Sequence, residues 1–138
     1  MITYLDGSCF VRVVTRDGPV LAGWGRWRLA YASRLAWTEV MRTFYRLHLT
    51  GVWSEAELNA AILLFERAAA SVVWLPISGA VLSLAGSRLP THVRTLDAIH
   101  LATAQIARDV SAPGLVFGTH DRQLAAAATA LFFAVEGV

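Results

Sequence analysis

Short apolar, β-prone runs alternate with segments of helical periodicity along this sequence, and no other feature constrains the fold as much. Residues 2–5 (Ile-Thr-Tyr-Leu) form a first strand-like run that ends at Asp6-Gly7, and Ser8 is placed to cap a helix to about Thr15. Residues 17–25 hold three glycines and a proline and read as a loop or a frayed short helix. Residues 33–49 repeat apolar positions at helical spacing, with Leu35, Val40, Phe44 and Leu47 as expected core contacts and Gly51 closing the segment. Ser54 and Glu57 form a Ser-x-x-Glu capping box that opens a helix to about Ala70. Val72 to Leu75 is continuous and β-branched, as expected of a buried parallel strand, and a short helix follows Ser78. Thr95 is placed to cap a helix to about Arg108. Leu115–Phe117 reads as another strand, Gln123–Ala128 as a final helix and Leu131–Val135 as a last edge strand.

Such alternation calls for a parallel sheet covered by helices on both faces. The expectation is one α/β domain over residues 1–138, a three-layer α/β/α arrangement around a mainly parallel sheet of 4–5 strands. No internal repeat, low-complexity tract or linker divides it. With 56% hydrophobic and 16% charged residues, the chain has ample surface to bury and is not a disordered one. The apolar excess raises the question of a membrane. Its longest charge-free stretch, Ala68–Ser87, is broken by Pro76, Gly79 and Gly86 and carries four serines, so a strand, a turn and a short helix explain it better than a span. The opening residues lack the pattern of a signal peptide, and the lone Cys9 has no partner for an internal disulfide. A buried thiol and a reducing cytoplasm are the expectation.

Charge is scarce and uneven. All 12 basic residues are arginine, against 10 acids, for a net charge of +2. This balance permits a nucleic-acid partner without requiring one. In an open parallel sheet, ligands bind outside the carboxyl ends of the strands. Asp6 directly follows the first strand, and Asp121 follows the third after Gly118, Thr119 and His120. Glu39, near the start of the Thr38–Leu49 segment, and Asp97, just after Thr95, are expected in the first turns of helices. Any one of these acids alone is explained by a helix dipole or a turn. Together, with strongly apolar flanks around Asp6, Glu39 and Asp97, they need partners, and a hard cation is the natural one. Carboxylates without clustered cysteine or histidine favour Mg²⁺, with Mn²⁺ as a substitute, over zinc. Such sites activate water and stabilise phosphoryl transition states.

These residues carry a family resemblance. Residues 1–8, MITYLDGS, resemble the opening strand-Asp-x-Ser of PIN domains, and residues 33–42, SRLAWTEVMR, resemble that family's Ser-x-x-x-x-x-Glu helix start. Residues 94–104, RTLDAIHLATA, are very similar to the Leu-Asp-Ala-x-His-Leu-Ala-x-Ala segment of its VapC toxin branch. Residues 117–128, FGTHDRQLAAAA, resemble its Thr-x-Asp-x-x-Leu-x-x-Ala block. The four motifs fall in order across nearly the whole chain. The resemblance implies a PIN-like fold and a Mg²⁺-dependent endoribonuclease. It would be the toxin of a type II toxin–antitoxin pair, a homodimer neutralised by a cognate VapB-like antitoxin. Asp6, Glu39, Asp97 and Asp121 would be the catalytic acids that hold the metal. Ser8 and Thr119 would be hydroxyls that orient the carboxylates or a water. The implied chemistry is attack of water on an RNA phosphodiester. One departure is visible, since the family usually has a hydroxyl residue where this chain has Gly7.

Other candidates divide between chemistry and packing. His100, three residues after Asp97, reads as a satisfied, partly buried histidine, His120 as a solvated loop residue and Cys9 as core. The segment Trp24-Gly25-Arg26-Trp27-Arg28, with Arg34, Arg42 and Arg46, fits two readings equally. One is a surface for single-stranded RNA, and the other is packed tryptophans beside solvated arginines. Two alternatives to a toxin stand, an RNA-processing nuclease without an antitoxin and a catalytically silent binding module. The four intact acids count against silence.

Overall fold

The computed structural model describes residues 1–138. In chain order the elements are β1 (Ile2–Leu5), α1 (Gly7–Thr15), β2 (Leu29–Ser33), α2 (Arg34–Leu49), α3 (Glu55–Ala69) and β3 (Val72–Leu75). They continue with α4 (Gly79–Ala85), α5 (Thr95–Ser111), β4 (Val116–Gly118), α6 (Arg122–Ala130) and β5 (Ala134–Glu136). The five strands form one parallel sheet in the order β3-β2-β1-β4-β5. From β1 the chain winds outward to β2 and β3 on one side and then returns to build β4 and β5 on the other. The order therefore reverses between β1 and β4, which is where such a sheet leaves a crevice at its carboxyl edge.

Strand side chains alternate between faces, and the core divides accordingly. Leu5, Ala30 and Ala32 point into a cluster with Cys9, Phe10, Val40, Phe44 and Phe65, from α1, α2 and α3. Tyr4 and Phe117 point the other way, toward Leu101, Ala104, Leu124 and Ala128 on α5 and α6. The three-layer α/β/α arrangement expected from the sequence is the one found. On the first face Phe65 sits at the centre of a ring cluster, 4.7 Å from Trp37, 5.5 Å from Phe10 and 6.1 Å from Phe44 between centroids.

Several local expectations are corrected. Strand β2 went unnoticed because Leu-Ala-Tyr-Ala-Ser has little β-branched character. It lies between β1 and β3, where Ala30 and Ala32, both fully buried, let the helical layer approach closely. Val72–Leu75 is parallel, as expected, but it forms an edge and leaves Val73 43% exposed. Asp6, not Ser8, caps α1, and α5 starts after Arg94, with Thr95 inside it and no side-chain cap. Helix α2 starts at Arg34, capped by Ser33, which puts Glu39 in its second turn rather than its first. Leu35 and Leu47 are only half-buried, while Val40 and Phe44 are fully buried. The Ser54–Glu57 capping box forms as expected. Trp24 and Trp27 pack edge-to-face against each other, with Trp24 against Phe10, so the tryptophans of that segment serve packing while Arg26 and Arg28 stay exposed. No helix is long and apolar enough to cross a membrane.

Candidate active site

Asp6 directly follows β1 at the point where the sheet order reverses. It caps α1 through a hydrogen bond from the Cys9 amide to Oδ1. The Ser8 hydroxyl donates to the same oxygen at 2.6 Å, and the Thr119 hydroxyl donates to Oδ2 at 2.8 Å. Both hydroxyls also accept from the loop after β4. Ser8 takes the His120 amide at 2.9 Å, and Thr119 takes the Asp121 amide at 3.0 Å. The two residues expected to orient carboxylates thus tie the ends of β1 and β4 together around one buried acid. Burial pushes the Asp6 carboxyl above its ordinary range, while His100 and the hydrogen bonds from Ser8, Thr119 and Cys9 pull the other way. The Cys9 thiol is held well above its usual range by burial and then by Asp6, so it stays protonated and packs as core.

Glu39 reaches the same cleft from α2. His100 Nε2 lies 2.7 Å from Glu39 Oε2, and His100 Nδ1 lies 2.8 Å from the Tyr4 hydroxyl. A carboxylate only accepts, so Nε2 carries the hydrogen of the first bond. His100 is satisfied at both nitrogens, as expected, but it is 2% exposed rather than partly buried. Tyr4 is fully buried, and that burial, followed by the charge of Asp6, keeps its hydroxyl protonated. Position 7 bears on this acid too. A Cβ there would come within 3.2 Å of Glu39 Oε2, so a side chain at position 7 would press on this carboxylate.

Asp97 lies in the first turn of α5, and Asp121 caps α6 by accepting from the amides of Gln123 and Leu124. Arg94 joins them, its Nε 3.0 Å from Asp97 Oδ2 and its Nη2 3.5 Å from Asp121 Oδ2. The hydrogen bond and charge of Asp97, with a smaller contribution from Asp121, hold the exposed guanidinium above its ordinary range. Asp6, Glu39, Asp97 and Asp121, with Ser8, Arg94 and His100, line one cleft of about 340 Å³. The structure therefore brings all four sequence-selected acids together. As arranged, no three acidic, histidine or cysteine side chains converge closely enough to share one ion. Sequence reasoning missed Arg94 and Tyr4. The Arg-x-x-Asp spacing before Asp97 was a visible signal for the first; nothing pointed to the second. His120 is corrected as well. Its Nδ1 lies 2.7 Å from the Gly137 carbonyl and its Nε2 is buried, so it is not a solvated loop residue.

No family model matches the sequence. Ribonuclease VapC46 of Mycobacterium tuberculosis is 39% identical over 105 residues, 74% of this chain and 73% of that protein. This chain belongs to the VapC family of PIN-domain proteins. Solved structures place the fold in the same company. PAE2754 from Pyrobaculum aerophilum superposes with a TM-score of 0.67 at 19% identity, over 99% of this chain and 84% of its own. VapBC2 from Rickettsia felis, solved bound to a DNA fragment from its promoter, gives 0.66 at 10% identity over 99% and 98%. FitAcB from Neisseria gonorrhoeae gives 0.65 at 19% over 98% and 96%. Asp6, Glu39, Asp97 and Asp121, the acids of the four segments that resemble the family's motifs, all line the cleft.

Proposed function

We propose that this VapC-family chain is a Mg²⁺-dependent endoribonuclease toxin that acts in the cytoplasm as a homodimer, its residues 1–138 forming one catalytic domain. A cognate antitoxin neutralises it. The observation that carries this reading is that four carboxylates from four parts of the chain line one cleft at the reversal point of the sheet. The name of the relative, a ribonuclease, supports RNA as substrate, and the VapBC assembly among the structural neighbours supports an antitoxin.

The donor set suits a hard divalent cation. All four side chains offer only oxygen, Cys9 keeps its proton, and both nitrogens of His100 are engaged. The Arg94 guanidinium between Asp97 and Asp121 marks where positive charge is favoured. Asp6, Glu39, Asp97 and Asp121 would hold Mg²⁺, or Mn²⁺ in its place. When bound, the metal would supply activation of water and charge stabilisation at the phosphate. Ser8 and Thr119 fix both oxygens of Asp6, and His100 fixes Glu39.

Basic side chains flank the cleft. Thr43 joins it to a groove lined by Arg42 and Arg46 on α2, and Arg12 joins it to one lined by His120 and Arg122. Phosphates on either side of a bound linkage would meet these arginines. Exposed leucines, Leu63 and Leu64 on α3, Leu82 on α4 and Leu96 at the start of α5, give apolar area of the kind protein partners cover.

The test is cleavage of RNA by the purified protein. Cleavage is expected with Mg²⁺ or Mn²⁺, and both EDTA and Asp97→Asn should abolish it. Cleavage that survives EDTA and the substitution would overturn the metal-dependent reading.

A further inference from the structure

Arg94 sits among the acids without a structural reason to be there. It is the N-cap residue of α5 but provides no side-chain cap. Its guanidinium lies beside the first turns of both α5 and α6, where helix dipoles favour negative charge rather than positive. Its side chain is 64% exposed, so no packing holds it in place. What holds it is the pair of carboxylates, Asp97 and Asp121. In this arrangement no three potential ligands converge on a single ion.

We infer that Arg94 is the resident cation of the metal-free cleft, that divalent metal displaces it from Asp97 and Asp121, and that the freed guanidinium then pairs with a phosphate of the bound RNA strand. A planar guanidinium fork matches a carboxylate and a phosphate equally well, so the same side chain can serve both partners in turn. Being exposed, it can rotate away without opening a cavity, and its backbone at the start of α5 keeps it at the rim of the cleft. Arg12, which also lines the cleft, is placed differently. It is paired with Asp17 and donates to the Pro19 carbonyl, so metal that takes Asp97 and Asp121 would not release it. The exchange couples the two occupants of the site, because metal entry produces a phosphate-binding group that the metal-free cleft keeps occupied.

The phosphate step rests on the ribonuclease reading above, whereas the displacement step can be measured without RNA. Arg94→Gln in the full chain should bind Mn²⁺ about threefold more tightly than wild type by calorimetry, the scale expected when one exposed competing cation is lost. Arg94→Lys should stay near wild type, since an ammonium still competes. In the cleavage assay Arg94→Gln should raise KM for single-stranded RNA about tenfold, with a smaller change in kcat. A Mn²⁺ affinity that is unchanged or weaker in Arg94→Gln, in a wild type that binds Mn²⁺ and cleaves RNA, overturns this inference and leaves the ribonuclease reading intact. Tighter Mn²⁺ binding with an unchanged KM overturns the phosphate step. A wild type that binds no Mn²⁺ overturns both readings together.

Discussion

His100 Nε2 and Glu39 Oε2 lie 2.7 Å apart, joining the interior of α5 to the second turn of α2 across 61 positions of sequence. Behind that bond the Tyr4 hydroxyl, fully buried in β1, lies against the other ring nitrogen. Three of the elements around the cleft are thus connected through one imidazole, and Glu39 is the only member that reaches solvent. His100→Ala should leave the Tyr4 hydroxyl buried without this partner and Glu39 free to rotate. The expected cost is about 1–3 kcal/mol of stability by urea denaturation, with Mn²⁺ affinity reduced about tenfold or more. His100→Gln, which can still donate to Glu39, should recover part of the Mn²⁺ affinity. Equal affinity in the alanine and glutamine variants would show that the imidazole does not position the acid.

Thr119 plays the matching part for Asp6. Its hydroxyl donates to a buried carboxylate and accepts the Asp121 amide, and it is itself fully buried. Thr119→Val keeps the shape and removes both bonds, so the urea midpoint should fall by the equivalent of about 1–3 kcal/mol. Thr119→Ser should lie between valine and wild type. A valine variant as stable as wild type would mean that the hydroxyl contributes nothing to the join between β1 and β4.

The legible part of this protein was what periodicity and punctuation control. Helix α3 follows from its Ser54–Glu57 box, and the turn after β3 from Pro76 and Ser78. The acids were legible for a different reason. Asp6, Glu39 and Asp97 stand in apolar flanks of a chain with few charges, and the position of Asp6 directly after a strand already placed it at the carboxyl edge. Strand β2 was not legible, because alanines that make a crowded central strand possible carry no strand signal of their own. The inner polar shell was hidden as well. Tyr4 reads as an ordinary strand aromatic until the fold brings residue 100 against it, and no local spacing encodes a bond across 96 positions.

Metal should stabilise the folded protein. Asp6, Glu39, Asp97 and Asp121 line one cleft, and Arg94 is paired with only two of them. Adding Mn²⁺ at about 100 times its Kd should contribute about 2.7 kcal/mol and raise Tm, with EDTA reversing the shift. Asp97→Asn should reduce the shift sharply. A Tm that does not respond to millimolar Mn²⁺ would count against a shared metal site.

Arg42 and Arg46 test the path of the substrate. They are exposed one turn apart on α2, neither is paired with an acid, and Thr43 between them opens into the acid cleft. A residue that meets a phosphate away from the reacting linkage adds binding without adding to the chemical step. Arg42→Gln and Arg46→Gln should therefore each raise KM for single-stranded RNA and leave kcat unchanged. Each should also lower the slope of log affinity against log salt by about 0.7, the counterion released by one phosphate contact on a single strand. Arg67 is also exposed but lies on α3 outside the cleft, so Arg67→Gln removes the same charge without touching the path. A salt slope that falls equally in all three variants would assign the effect to net charge and place the strand elsewhere.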